Sequence, residues 1–134
     1  MADIELLPQE IKVLLAPYFP GFNLNKIRIH HGIPWYVPMK ASAYTDRNHI
    51  YFAPGSYDPY SAEGIALIAH EIAHSVQYEN HGIWMFRQLY IRAWLVELCQ
   101  HLSFNDAYSR NPFEAAARAL EERVYNDLFD RLKR

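Results

Sequence analysis

The sequence of 134 residues has few of the features that mark secreted, nucleic-acid-binding and membrane proteins. Its one cysteine, Cys99, cannot form an internal disulfide, so nothing indicates an oxidising compartment. We interpret that thiol as a small buried apolar side chain of a helix. The opening MADIELLPQE is acidic and lacks the basic and apolar regions of a signal peptide. We therefore expect a cytoplasmic protein, or one exported by a route that uses no signal peptide.

The sequence also lacks a block of one charge and an uninterrupted apolar run. The formal net charge is −2 and the pI is about 6.4, which gives no indication of nucleic-acid binding. The long stretch GIWMFRQLYIRAWLVELCQHLSF carries Arg87, Arg92 and Glu97, so we expect no membrane span there. Apolar residues make up 51% of the chain, which is typical of a globular protein. The length predicts one domain, residues 1–134.

The order of helix and strand patterns predicts an α+β fold, with a small antiparallel sheet packed on helices. A short helix is expected in LPQEIKVLLAPYFP, where prolines stand near its start and after its end. Strands are expected in KIRIHH and on both sides of a turn at residues 46–48 in ASAYTDRNHIYFAPG. Longer helices are expected over about residues 61–79, 83–104 and 112–132, the last with Asn111 as its cap.

The helix expected over residues 61–79 carries the sequence HEIAH, with His70 and His74 on either side of Glu71. Successive helical residues turn by about 100°, so the two imidazoles lie about 40° apart and one turn from each other. Isoleucines and a valine at 65, 68, 72 and 76 form an apolar stripe on the opposite side. Two histidines at this spacing can bind one zinc ion. Glu71 lies beside the metal position, which suits a general base that takes a proton from water.

Chance is the competing explanation of this motif. With seven histidines and nine glutamates in the chain, the pattern H-E-x-x-H arises by accident in roughly one such sequence in forty. Two histidines without a metal would cost the fold no stability if they lay at the surface. The position of the motif favours a site, because a helix with an apolar opposite face should not bury two imidazoles without a partner.

A catalytic zinc site uses three protein ligands and leaves one position open, so a third ligand must come from elsewhere. The downstream candidates are Glu97, Glu114, Glu121, His81 and His101. If helices 61–79 and 83–104 pair antiparallel, Glu97 lies about 10 Å beyond the metal level, and His101 lies further still. His81 suits a cap at its helix end. In NPFE, Glu114 is either a capping-box residue or a ligand that points along the core surface. Glu121 follows on the same edge and would at most support a ligand.

A longer part of the sequence resembles a known family. The segment IPWYVPMKASAYTDRNHIYFAPGSYDPYSAEGIALIAHEIAHSVQY, followed by NPFEAAARA, resembles a bacterial metallopeptidase domain. That domain is often encoded with extracellular contractile injection systems, or stands at the front of large secreted toxins. The resemblance implies a zincin-like core of the gluzincin type. In that core His70, His74 and Glu114 would bind zinc, and Glu71 would be the catalytic base. It also implies a larger secretion or injection assembly as a partner.

Two functions fit these residues. The first is a zinc metallopeptidase that hydrolyses a peptide or protein substrate with Glu71 as general base. The second is a non-catalytic, zinc-stabilised module that docks onto a larger assembly, although a structural zinc site usually has four protein ligands and no fourth is evident. A third and weaker explanation is a metal-free helical core with two spare histidines.

Other polar and aromatic residues receive weaker predictions. The oxyanion of a tetrahedral intermediate would need a further hydrogen-bond donor. Three tyrosines are available, and the sequence does not choose among them: Tyr57, Tyr60 and Tyr90. The edge of the strand IYFAPG could pair with an extended peptide if that strand is an edge. The histidines expected on strands and turns, His30, His31 and His49, are interpreted as structural or solvated.

Overall fold

The computed structural model describes residues 4–34, 42–83, 87, 91, 95 and 112–132. These residues form an α+β fold, as predicted. The helices are α1 (Gln9–Leu15), α2 (Ala62–His81) and α3 (Pro112–Leu132). The strands are β1 (Ile4–Leu6), β2 (Arg28–His31), β3 (Ala43–Asp46) and β4 (His49–Phe52). Residues 83, 87, 91 and 95 are also helical, and the rest of the helix predicted over 83–104 lies outside the described residues.

The four strands form one mixed sheet in the order β1-β2-β4-β3. The pairs β1–β2 and β3–β4 are antiparallel, whereas β2 and β4 are parallel. The predicted purely antiparallel sheet is therefore wrong at its centre. The turn at Arg47, where φ is 58°, makes β3 and β4 a hairpin, but a hairpin does not dictate which of its strands joins β2. Here β4 does, and its Ile50 and Phe52 are fully buried, as suits an interior strand.

This strand order also corrects the prediction that the strand IYFAPG offers an edge to a peptide. That strand is β4, which has a neighbour on each side. The edges of the described sheet are β1 and β3. Of these two strands, β3 is the one that packs against α2, the helix that carries HEIAH.

The core fills the space between one face of the sheet and the helices. Its fully buried apolar side chains come from every layer: Leu15, Ile27, Ile29, Ile50, Phe52, Ile68, Ile72 and Val124. Complete burial of one such side chain stabilises the fold by about 1.5–3 kcal/mol. Helix α2 contacts both this core and α3, so its orientation is fixed on two sides.

Local signals explain where α2 begins and ends. The hydroxyl of Ser61 accepts a hydrogen bond from the backbone N–H of Gly64 at 3.0 Å and caps the helix. Gly64 lies so close to the preceding loop that a Cβ atom there would stand 1.8 Å from the carbonyl oxygen of Asp58. Gly82, with φ of 71°, ends the helix. The predicted limits of α2 are thereby confirmed to within two residues.

Helix α3 has the predicted limits and lies along α2. One line of residues on α3 faces inward at a spacing of three and four: Glu114, Ala117, Glu121, Val124 and Leu128. Its predicted cap, Asn111, lies outside the described residues. Among the helices that the structure describes, none is long and apolar enough to cross a membrane.

Candidate metal centre

Three buried polar side chains meet between α2 and α3. His70 and His74 are each 7% exposed and Glu114 is 5% exposed. The Nε2 atom of His74 lies 2.8 Å from Oε1 of Glu114, and Nε2 of His70 lies 3.3 Å from Oε2 of the same carboxylate. The candidate ligand atoms of the three residues all lie within 4.8 Å of one another. The structure thus brings together the three residues that the sequence proposed as ligands.

The positions of these side chains follow from helix geometry. His70 and His74 are one turn apart on α2, so both rings leave the helix on the same side. On α3, Glu114 and Glu121 are seven residues apart, which is nearly two whole turns. Both carboxylates therefore face α2: Glu114 reaches both imidazoles and Glu121 reaches that of His70.

The other nitrogen of each imidazole also has an acceptor. Nδ1 of His70 lies 2.7 Å from Oε1 of Glu121, and Nδ1 of His74 lies 2.9 Å from Oε1 of Gln77. Gln77 in turn donates from Nε2 to the carbonyl oxygen of Phe113 at 3.2 Å, which ties α2 to the start of α3. Because each Nδ1–H donates to an oxygen, Nε2 of the neutral ring keeps its lone pair for the centre. Metal-binding histidines are typically held in this way.

Without a metal, the same groups form a buried ion cluster. Burial lowers the pKa of His70, but hydrogen bonds to Glu114 and Glu121 outweigh it and raise the pKa to about 10. Burial also lowers the pKa of His74, but its hydrogen bond to Glu114 and the charges of Glu71 and Glu114 together outweigh burial and raise that pKa. Burial raises the pKa of Glu114, and the two imidazoles more than reverse this and hold it well below its ordinary value. A divalent cation that entered this cluster would displace protons from the imidazoles.

The donor set fits zinc. Zinc binds imidazole nitrogen and carboxylate oxygen at about 2.0–2.2 Å, so two ligand atoms of a tetrahedral site lie about 3.4 Å apart. Of the distances from the Glu114 oxygens to the imidazole nitrogens, 3.3 Å to His70 is close to this value, and 2.8 Å to His74 is the shorter distance of a hydrogen bond. Among the described residues, no further histidine, cysteine or acidic side chain joins the cluster, and three ligands leave one zinc position free. Two imidazoles and a carboxylate would also accept other divalent transition metals.

Glu71 lies beside this cluster and outside its ligand set. Its side chain is buried, and its Oε2 atom lies 3.8 Å from Nε2 of His70. Its Oε1 atom accepts a hydrogen bond of 2.9 Å from the hydroxyl of Thr45 on β3. Burial raises the pKa of Glu71, and the nearby imidazoles reverse only part of that effect. A carboxylate in this place can exchange a proton with a molecule at the centre without binding the metal itself.

Comparison with known proteins gives one family match. Residues 6–82 match the model of the eCIS core domain. The chain belongs to this family. No curated protein and no solved structure matches it. Membership links the chain to extracellular contractile injection systems, which confirms that part of the predicted resemblance. The match does not test hydrolysis, which stays a prediction.

The matched part of this eCIS core domain covers α1, the strands β2 to β4 and α2, and therefore His70, Glu71 and His74. It ends at Gly82, before α3 begins. Glu114, which completes the cluster, and Glu121, which supports His70, thus come from a helix outside the matched residues. The candidate centre depends on both parts of the chain.

The remaining ligand candidates do not join the cluster or cannot be placed. His81 is exposed, and its ring packs edge-on against Phe113 at 6.0 Å. Glu97 and His101 lie outside the described residues. Glu121 has the supporting position that the sequence allowed it. The roles of His70, His74 and Glu114 as ligands remain predictions.

The candidate oxyanion donors are not distinguished by the structure. Tyr57 packs against Phe52 with its ring, and its hydroxyl is buried with no hydrogen-bond partner among the described residues. Tyr60 is 92% exposed, and Tyr90 lies outside the described residues. The choice among these tyrosines stays a prediction.

The strand histidines make contacts of a structural kind. Nε2 of His30 lies 2.8 Å from Nδ1 of His49, and the ring of His30 stacks on Tyr51. His31 lies 3.1 Å from the carboxylate of Glu5. Burial, followed by the nearby His49, lowers the pKa of His30, so the ring of His30 favours its neutral form.

Two site residues were missed from the sequence. The role of Gln77 could have been inferred, because it stands three residues after His74 on the same face of α2. Thr45 has no such signal, since its contact with Glu71 exists only because β3 packs on α2.

Proposed function

We propose that this eCIS core domain binds one zinc ion through His70, His74 and Glu114 and hydrolyses peptide bonds with Glu71 as general base. The observation that supports the proposal best is the position of Glu71. Its carboxylate is buried beside His70, a candidate ligand, but is not itself one of the three candidate ligands. A metal site that only stabilises a fold gains nothing from an extra buried carboxylate, which is costly to desolvate.

The chemistry needs a strong base and a polarised carbonyl. Zinc bound at this centre would lower the pKa of a coordinated water to about 7 and polarise a substrate carbonyl. Glu71 would accept a proton from the attacking water and then give it to the nitrogen of the leaving amine. In the metal-free chain, burial raises the pKa of Glu71 above that of an exposed glutamate.

The edge strand β3 gives the substrate a place to bind. The N–H of Ala53 donates to the carbonyl oxygen of Ser42, which begins an alternating set of bonds between β4 and β3. In this register the backbone groups of Tyr44 and Asp46 face β4, and those of Ala43 and Thr45 face away from it. An extended peptide can add to such an edge by main-chain hydrogen bonds. We therefore propose a zincin-like arrangement in which an extended peptide lies along β3, next to Glu71.

A docking module is the second candidate function, and family membership favours it. The eCIS core domain links the chain to injection-system assemblies, and a zinc ion could stabilise a surface that docks onto such an assembly. This function needs the zinc ligands and does not need Glu71 as a base, so one substitution separates the two candidates.

The test compares the zinc-loaded wild type with Glu71→Gln on a broad peptide library. The wild type should cleave some peptides, lose this activity to a chelator and regain it with zinc. Glu71→Gln should keep its zinc and lose cleavage by at least about 10²-fold, the lower end for a general base. Glu79→Gln, at an exposed glutamate of the same helix, is the control and should cleave like the wild type.

Two results would contradict the proposal. Equal cleavage by the wild type and Glu71→Gln would exclude Glu71 as the base. A wild type that binds zinc and cleaves nothing in the library would make the docking module the better explanation.

A further inference from the structure

We infer that Thr45 is a positioning residue for Glu71: its hydroxyl holds one carboxylate oxygen on the strand side, so that the other faces the metal centre. The catalytic meaning of this inference rests on the proposed function. The placement of the carboxylate itself does not, because it is a property of the folded chain.

The two oxygens of the Glu71 carboxylate have different surroundings. Oε1 lies 2.9 Å from the hydroxyl oxygen of Thr45, and Oε2 lies 3.8 Å from Nε2 of His70. Thr45 is 6% exposed and Glu71 is 5% exposed, so water is largely kept from this contact. Among the described residues, Thr45 is the only hydrogen-bond donor to this carboxylate. The oxygen left free of hydrogen bonds is therefore the one on the side of the candidate ligands.

The position of Thr45 on β3 strengthens the inference. β3 is an edge strand, and the side chain of Thr45 points inward to α2. Its backbone N–H and C=O point away from β4, toward the place proposed for a peptide. Thr45 thus contacts the proposed general base with its side chain and faces the proposed peptide position with its backbone. A displacement of the base by about 1 Å can lower the reaction rate about 10²-fold. The rate should therefore depend strongly on the distance between β3 and the carboxylate of Glu71.

A purely structural role of Thr45 is the alternative. Its hydroxyl also lies 3.2 Å from the backbone carbonyl oxygen of Glu71, and a hydroxyl donates one proton at a time. If the bond to the carbonyl is the one that matters, loss of the hydroxyl weakens the packing of β3 on α2. It would then change stability and leave the chemistry of the folded protein as it was.

The experiment uses the zinc-loaded full chain with Thr45→Val and Thr45→Ser. Valine keeps the shape of the side chain and removes the hydroxyl, whereas serine keeps the hydroxyl and loses the methyl group. With a peptide that the wild type cleaves, Thr45→Val should lower kcat by about tenfold to a hundredfold. KM and zinc affinity should not change. Thr45→Ser should recover most of the lost kcat.

Several results would overturn the inference. An unchanged kcat in Thr45→Val would do so, as would an equal loss of kcat in both variants. A fall in zinc affinity that parallels the fall in kcat would show that the substitution disturbs the whole centre, which is the structural role.

If the wild type cleaves nothing, the proposed function fails, and a second measurement tests the placement of Glu71. The urea midpoints of the wild type, Thr45→Val, Glu71→Ala and the double variant form a double-mutant cycle. Non-additive midpoint shifts would support the contact of the Thr45 hydroxyl with the Glu71 side chain. Additive shifts would overturn the inference.

Discussion

Glu114→Gln separates a metal ligand from a helix cap. The substitution keeps the size of the side chain and removes its charge. Loss of a group that only supports a ligand weakens metal binding by about 10–100-fold, so loss of a ligand should weaken zinc binding by more than about 10²-fold. A residue that only caps α3 would leave zinc affinity unchanged.

The stability of the metal-free chain distinguishes the same two roles. Glu114 is 5% exposed and contacts two imidazoles. Hydrogen bonds to charged groups contribute about 1.5–3 kcal/mol each. The amide of the variant can still accept one of these two bonds, so the free energy of unfolding should fall by about 1.5–3 kcal/mol. Loss of a capping interaction alone costs about 1 kcal/mol.

The assay pairs urea unfolding of the metal-free chain with zinc competition against a chromophoric chelator. Glu122→Gln, at an exposed neighbour on α3, is the control and should match the wild type in both measurements. Glu97→Gln tests the rival ligand. If Glu97→Gln weakens zinc binding by orders of magnitude and Glu114→Gln does not, the assignment of the third ligand is wrong.

Two further predictions concern the groups around the ligands. Glu121→Gln should weaken zinc binding by about tenfold to a hundredfold, because an amide oxygen is a weaker acceptor for Nδ1–H of His70. An unchanged zinc affinity in the chelator assay would show that this contact is dispensable. In the metal-free chain, stability should fall as pH rises from about 6.5 toward 10. The reason is that His70, with its pKa raised to about 10, keeps its proton in the folded chain after the unfolded chain has lost it. Zinc affinity should rise over the same range, because zinc displaces that proton. Urea titrations across this range should show a steeper slope in the wild type than in His70→Gln, which keeps the raised pKa of His74; equal slopes would contradict the ion cluster.

The elements that carry the site could be predicted where local chemistry decides them. Ser61 caps α2 and Gly82 ends it, and both act within a few residues of their own position. The spacing of His70 and His74 places their imidazoles together in any regular helix. These features were therefore visible in the sequence before any packing was known.

The features that were missed depend on contacts between distant parts of the chain. The parallel pairing of β2 with β4 is decided by how the chain crosses between strands, which no local pattern encodes. The contact of Thr45 with Glu71 requires β3 to pack on α2. Glu114 was ambiguous for a related reason, because a capping-box glutamate and an inward-facing ligand occupy the same position in the sequence. The packing of α3 on α2 places its carboxylate between the imidazoles.

X-ray absorption at the zinc edge, together with the zinc content of the purified chain, tests the central claim most directly. We predict one zinc ion per chain, with two imidazole nitrogens and a carboxylate oxygen among its ligands and no sulfur. Loss of the ion in His70→Ala would assign the signal to this centre. A chain that holds no transition metal after zinc is supplied would contradict the metal centre, and a zinc–sulfur signal from Cys99 would place the ion elsewhere.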